Sequence, residues 1–549
     1  TMKLMAGSSF TTKLTYSGFI PNMPDVSDED LAGLQNYVTQ YMTSYGSDPL
    51  RMGNGSGDTY WTGKALNRVG NVLAAAEVCN DTESADKLYA ALKAELEDWF
   101  TTDDTETDKY FYYDSGIGSL YGFPQSYNSV DQMNDHHFHY GYYIYAAAQI
   151  ALRDPQWGTD GNFGGMVKEL IGDIACNDRD SEKYPYLRNF APYEGHSWAS
   201  GHQAFADGNN HESSSEALNA WAGIILFGEA TGNKELRDLG IYLYTTEISA
   251  VNNYWFDVEK NVLDDRYRYG VSTLDNLDKN SAKVVRNQAS MVWGAKYIYG
   301  TWWTAEPLQV QGINLLPMNP SSFYLAGDQD YIKENLELAL YHEGNYTGPD
   351  KMADPTDRWN DIWSEYEALA DPDYALTYWD TTAAEEGGES RAHTFHYIMS
   401  LKNYGTPDTS VTSDTTLSTV FNKNGVKTYA AFNAKDTPET VTFSDGVQIL
   451  AAPHQLTTAD SSNMKDIRSY TVEYYTQKPD GSGYDVTTET KQGMVGTKVT
   501  ADIKTMEGFS FESSNPQNVT EGSLTESGAL TLKLYYQRNI YTLQYELNG

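Results

Sequence analysis

A change of period constrains this chain most. From about residue 25 to 403, apolar residues recur at helical spacing, and after Tyr404-Gly405-Thr406-Pro407 that spacing stops. Ser27 is placed to cap a helix with Leu31, Leu34, Tyr37, Val38 and Tyr41 on one face. The same pattern predicts helices over Ala65–Val78, Ala85–Phe100, His137–Leu152, Gly165–Cys176, Ser214–Glu229, Leu236–Glu247, Ala282–Ile298, Gln329–Tyr341, Trp359–Leu369 and Arg391–Leu401. Helical bundles and solenoids share this periodicity, so the spacing by itself leaves the arrangement open. Beyond the change, Val/Thr/Tyr/Phe runs alternate with Asn424-Gly425 and Asp445-Gly446 turns, the pattern of an antiparallel β unit over 406–463. A third pattern fills 467–540, where Tyr470-Thr471-Val472-Glu473-Tyr474 returns as Tyr541-Thr542-Leu543-Gln544-Tyr545. Residues 541–549 therefore read as the start of a second repeat, and the natural chain is expected to continue. A helical domain over 25–405 thus precedes small β domains, in keeping with 549 residues and a prior of roughly three or four domains.

Charge narrows the partners. A formal net charge of −38 repels phosphate backbones and anionic lipid surfaces, which leaves a neutral substrate as the better fit. Two cysteines, Cys79 and Cys176, cannot build a disulfide framework. No apolar run is long enough to span a membrane. Thr1 opens no leader sequence, so the chain reads as a mature or trimmed product. Aromatics are 13% of residues, with 43 Tyr and 12 Trp. Such rings fill cores, and they also present an apolar face with a polar tip to sugars.

Two runs carry the chemistry. Asn134-Asp135-His136-His137-Phe138-His139-Tyr140-Gly141-Tyr142 offers one carboxylate in a polar, aromatic-flanked turn. Asn209-Asn210-His211-Glu212-Ser213-Ser214-Ser215-Glu216 offers two carboxylates one helical turn apart. A proton donor on one side of a glycosidic bond and a water-activating base on the other is the inventory of a glycosidase. A solvated acidic helix face has the same Glu212/Glu216 spacing, and Asp135 could be no more than a helix cap. The histidines suggest a zinc site, but His-His-x-His on a helix sends the imidazoles to different faces, so no metal or cofactor is expected. Between the two runs, His196 and Trp198 are candidate sugar contacts, and Asp207, Asn209 and Asn210 suit hydroxyls or a tight turn. Trp302-Trp303 suits either a stacking platform or helix packing.

These runs resemble glycoside hydrolase family 81, the endo-β-1,3-glucanases. Tyr60–Leu66, Asn134–Tyr145, Tyr193–Ala206, Asp207–Ala217, Gly312–Pro320 and Phe421–Tyr429 carry the resemblance, in the family's order, over roughly residues 12–457. It implies an (α/α)6 toroid, nearly all of whose helices are among those predicted, and inverting hydrolysis of β-1,3-glucan. It implies Asp135 as general acid and Glu216 as general base, with Glu212 able to share that role. Tyr60, Tyr142 and Ser213 are similar to residues that orient the base. Sugar contacts are expected from these and from Lys64, Asp131, His136, His139, His196, Trp198, Asp207, Asn209 and Asn210. Family members carry a β-sandwich before the toroid, and residues 1–24, with Lys13–Pro21, look like its exit. Gly508-Phe509, Leu534-Tyr535-Tyr536 and Arg538-Asn539 resemble bacterial surface repeats of the internalin-B and mucin-binding kind. The resemblances together imply a secreted, monomeric enzyme of a Gram-positive bacterium, attached to the cell wall through its C-terminal repeats. The competing class is a non-catalytic β-glucan-binding or adhesion protein, which predicts a missing carboxylate. A lyase is a third class, and it requires basic residues that these motifs lack.

Overall fold

Helix starts in this chain are set by short polar caps. Asp58 accepts the amides of Tyr60 and Trp61, Asp81 that of Ser84, Asn233 that of Leu236 and Ser390 that of His393. The computed structural model describes residues 13–52, 57–103, 105–202, 204–273, 284–345, 358–460 and 466–541. Its helices are α1 (Leu31–Tyr45), α2 (Thr59–Val78), α3 (Thr82–Phe100), α4 (His136–Arg153), α5 (Gly164–Ala175), α6 (Ser214–Ala230), α7 (Lys234–Tyr254), α8 (Asp265–Arg268), α9 (Pro307–Gly312), α10 (Gln329–Asn345), α11 (Asn360–Ala368), α12 (Pro372–Tyr378) and α13 (Arg391–Tyr404). Every predicted helix forms except Ala282–Ile298. There the described residues hold the strands Met291–Trp293 and Tyr297–Ile298, because Met291–Trp293 pairs with Asn210–His211. That partner lies far away in sequence, so local spacing misreads the segment.

The chain divides into two units, one of residues 1–412 and 416–427 and the other of 413–415 and 428–549. In the first, α2, α4 and α6 are buried along nearly their whole length, whereas α1, α3 and α7 bury one face. None of the described helices is long and apolar enough to cross a membrane. In the second unit, Thr428–Asn433 pairs antiparallel with Gln455–Asp460, and Glu439–Thr442 with Gln448–Ala451. Ile467–Gln477 pairs antiparallel with Tyr484–Met494 and, on its other edge, parallel with Thr531–Arg538. Alternation buries Tyr470, Val472 and Tyr474 of one strand against Leu532, Leu534 and Tyr536 of the other. The expected restart of the repeat at 541–549 lies outside the described residues after 541.

Buried helices in contact need small residues where they cross. A methyl placed on Gly141 of α4 would lie 2.6 Å from Ala220 Cβ of α6, and one on Gly223 of α6 would lie 2.9 Å from the Tyr145 amide nitrogen. One on Gly63 of α2 would lie 3.0 Å from Tyr142 Cβ. The three helices therefore approach at contacts that admit no further carbon. One buried charge joins the same core. Glu247 of α7 accepts from the Ser197 amide (3.0 Å), Ser197 Oγ (2.7 Å), His211 Nε2 (2.8 Å) and Trp221 Nε1 (2.6 Å). Its carboxyl stays below the usual range, because these donors, led by His211, outweigh the effect of burial. Glu247 so ties α7, α6 and the segments that carry Ser197 and His211 into one piece.

Gly141→Ala is expected to lower stability by about 1–3 kcal/mol through overpacking. Ala220→Gly in the same chain should restore part of it, because the two positions share one contact. Thermal denaturation of the single and double variants checks this. Additive losses would mean that the two side chains do not compete for the same space.

Candidate active site

The N-terminal turns of α2, α4 and α6 converge on one cavity of about 820 Å³. Asp135, Glu212 and Glu216 line it, together with Tyr60, Trp61, Tyr127, Trp302, Trp303 and Trp359. Asp135 precedes α4 with φ 63° and ψ 16°, a left-handed conformation that Asp and Asn tolerate better than other side chains. Its amide donates to the Ala199 carbonyl at 2.8 Å and its side chain does not cap the helix. The carboxyl is thereby turned away from α4's own amides. The start of α6 is pinned by the serines between the two glutamates. Ser213 and Ser215 donate to carbonyls in 313–316, and Ser214 uses both its amide and its hydroxyl on Asn314 Oδ1, at 3.0 and 2.9 Å. The runs Glu212–Glu216 and Gly312–Pro320, separate in the sequence, are two sides of one joint.

The three carboxylates differ in what surrounds them. Glu216 accepts from Tyr142 Oη at 2.7 Å and Tyr60 Oη at 3.0 Å. Burial raises its pKa, while the Lys64 ammonium, Tyr142, Ser213 and Tyr60 oppose the rise. Lys64 is 1% exposed and pairs with Glu386 at 2.9 Å. Glu212 accepts the Trp302 amide at 2.8 Å. Burial, followed by the charge of Glu216, outweighs that bond and pushes Glu212 up to about 7. Among the described residues no group donates to the Asp135 carboxyl. Burial first, then Glu212 and Glu216, lift it well above the carboxylate range. The site therefore holds its proton most firmly on Asp135, gives Glu212 one backbone donor, and supplies side-chain donors together with a positive field to Glu216.

The remaining expected site residues fall into two groups. His139, Asn210 and Ser213 line the cavity with Tyr60, and Tyr142 and Lys64 stand behind it and act on Glu216. His139 bonds Thr59 through Nδ1 at 2.9 Å, and burial pushes its pKa down to about 3. Asn210 accepts the Trp302 indole at 3.2 Å. The other group lies away from the cavity. His136 is fully buried between Asp173 (2.6 Å) and the Ser129 carbonyl (2.7 Å). His196 is buried against Trp198 and Trp255. Asp131 is exposed and holds Gln125. Asp207 pairs with Lys296, and Asn209 bonds the Ser200 amide and carbonyl, so both shape the loop beneath the cavity. His136 and His139 diverge toward separate partners. Trp302 and Trp303 line the cavity, 57% and 52% exposed, with Trp302 against Phe205 and Trp293 and Trp303 against Trp359. Sequence reading missed Tyr127, Trp359 and Glu386. Each stands in a polar stretch of the kind that many loops of this chain share, so its neighbours do not single it out.

The chain matches the glycosyl hydrolase family 81 C-terminal domain over residues 38–397. It is 47% identical over 461 residues to a glucan endo-1,3-β-D-glucosidase of Acetivibrio thermocellus, covering 84% of this chain and 56% of that protein. It is 39% identical over 460 residues to a glucan endo-1,3-β-D-glucosidase of Thermobifida fusca, covering 83% and 57%. Among solved structures it is similar to a mutant of glycoside hydrolase family 81 from Clostridium thermocellum, with TM-score 0.73 and 47% identity, covering 81% of this chain and 57% of that one. The chain spans about half the length of the curated relatives it matches. Three carboxylates on helix starts, the serine joint beneath them and a family match across most of the helical region agree: the chain belongs to glycosyl hydrolase family 81.

Proposed function

We propose that this chain is an endo-β-1,3-glucanase that hydrolyses internal glucosidic bonds with inversion. The observation that carries this reading is the asymmetry of the cavity's carboxylates. Among the described residues Asp135 has no donor, and it keeps its proton, which suits a general acid. Glu216, with two tyrosine hydroxyls and the Lys64 field, is the group best kept as a carboxylate, which suits a base that activates water. Glu212, held by the Trp302 amide, sits between these extremes and tunes both. The exposed Trp302 and Trp303 offer apolar faces to successive sugar rings. The glucanase activity named for the relatives supports β-1,3-glucan as the substrate class.

The organisation belongs to the same proposal. Residues 25–405 would close as an (α/α)6 toroid, a reading supported by buried helices that alternate with half-buried ones. Residues 406–463 and 467–540 would be separate β modules, the second a surface repeat of the internalin-B type. The enzyme would be a secreted monomer whose repeats hold it at the cell wall.

Asp135→Asn should cut laminarin hydrolysis by roughly 10²–10⁴-fold while leaving glucan binding intact, read by reducing-end release and by calorimetry with an oligosaccharide. Asn keeps the left-handed backbone, so retained activity would remove Asp135 from the role of acid. In the same assays Glu216→Gln should cost more than Glu212→Gln, and the reverse order would exchange their roles.

The pH profile of kcat/KM should be bell-shaped. Its acid limb follows proton loss from Glu216 and its alkaline limb follows proton loss from Asp135. Glu212→Gln removes a negative charge that favours the protonated acid, so the alkaline limb should move to lower pH. An unmoved limb would show that Glu212 does not act on Asp135.

NMR of newly released reducing ends should show the α-anomer first. Early β-anomer would mean retention and would make one glutamate a nucleophile.

A further inference from the structure

Away from the cavity lining, α11 and the start of α13 bring together a second set of ionisable groups. Glu365, Glu389 and His393 are 0%, 1% and 2% exposed. One nitrogen or oxygen of each lies within 4.8 Å of the others. None of the four carboxylate oxygens has a hydrogen-bond partner among the described residues. Thr394 is the polar neighbour of Glu365, but its hydroxyl donates to the Ser390 carbonyl at 3.2 Å. Lys64, the cation nearest this region, pairs with Glu386.

A separate residue points at the same place. Tyr397, one turn beyond His393, is fully buried, and its hydroxyl has no partner among the described residues although it feels the charge of both Glu365 and Glu389. One neighbourhood thus holds a buried donor and four buried acceptors, none of them hydrogen-bonded among the described residues. His393 is already oriented, because Nε2 lies 2.8 Å from the Met318 carbonyl. The same nitrogen stands 3.8 Å from Glu389 Oε2, so this edge of the imidazole faces the carboxylates. Two ionised carboxylates with neither water nor a counter-charge would cost several kcal/mol each.

We propose that Glu365, Glu389 and His393 form a structural site for a divalent transition-metal cation, with the Tyr397 hydroxyl as a further oxygen beside it. Two carboxylates balance the charge of the ion, and an imidazole ligand favours Zn²⁺ or Mn²⁺ over Ca²⁺ or Mg²⁺. The ion would fasten α11 to the segment 386–393. That segment carries Glu386 at its other end, and Glu386 holds Lys64, whose field acts on Glu216. The site is thus a positioning device behind the catalytic cavity and takes no part in bond cleavage. It does not depend on which glutamate is the base.

The full chain refolded with Zn²⁺ or Mn²⁺, desalted and analysed by mass spectrometry for metals, should retain one equivalent. Its Tm should exceed that of chain refolded with a chelator by at least several degrees. Refolding with Co²⁺ should give visible d–d absorption. The E365Q/E389Q variant should lose the ion, the spectrum and the Tm difference. Should that variant not fold, H393Q serves in its place, with weakened retention and an altered Co²⁺ spectrum. Equal retention by wild type and variant would place the ion on the acidic surface and overturn the proposal. No retention, with one Tm in Zn²⁺, Mn²⁺ and chelator, would also overturn it and would leave the two carboxyls protonated.

Discussion

The crossing of α4 over α6 is the contact on which the rest of the helical unit depends. Gly141, Ala220 and Gly223 let the two backbones meet with no side chain between them. Gly63 admits Tyr142 in the same way from α2. Only at that separation can Tyr142 of α4 and Tyr60 of α2 both reach the first turn of α6, where Glu216 stands. The carboxylate most in need of donors is served by two helices whose distance is fixed by the absence of side chains. Larger residues at the crossing would fill the core equally well in apolar terms and still separate the hydroxyls from their acceptor.

Polar groups then do what packing cannot, which is to fix rotation and register. Glu247 gathers four donors from Ser197, His211 and one helix, α6, and its value lies in specifying one arrangement rather than in adding stability. The serines of 213–215 do the same for the start of α6. The Asp135 amide, bonded to Ala199, does so for α4. A carboxylate that must present itself to a substrate cannot also satisfy its own helix. In each case a neighbouring residue takes over that duty.

Much of this was legible in the residues. The helices followed from spacing and caps, and the three cavity carboxylates stood out because their neighbours were polar and unusual for a helix face. Features that depend on partners far along the chain were not legible. Met291–Trp293 carries helical spacing, yet it is a strand because Asn210–His211 lies beside it. His136 stood in the same run as Asp135 and was expected to touch sugar, but Asp173, from another helix, holds it out of the cavity. Glu247 carries no local mark, and Glu386 and Tyr127 stand in polar loops like many others, so each gains its meaning only from what the fold sets against it.

Glu212 has a consequence of another kind. Its carboxyl, at about 7, is shared between two protonation states near neutrality, and its hold on the Trp302 amide joins it to the mouth of the cavity. A ligand that covers the tryptophans also removes water from this carboxyl and shifts the balance between its two states. Occupation of the cavity near neutral pH is then accompanied by exchange of a fraction of a proton with the surrounding solution. The heat of binding accordingly contains a contribution from the ionisation of the buffer, and it varies from one buffer to another while the ligand's own contacts stay the same.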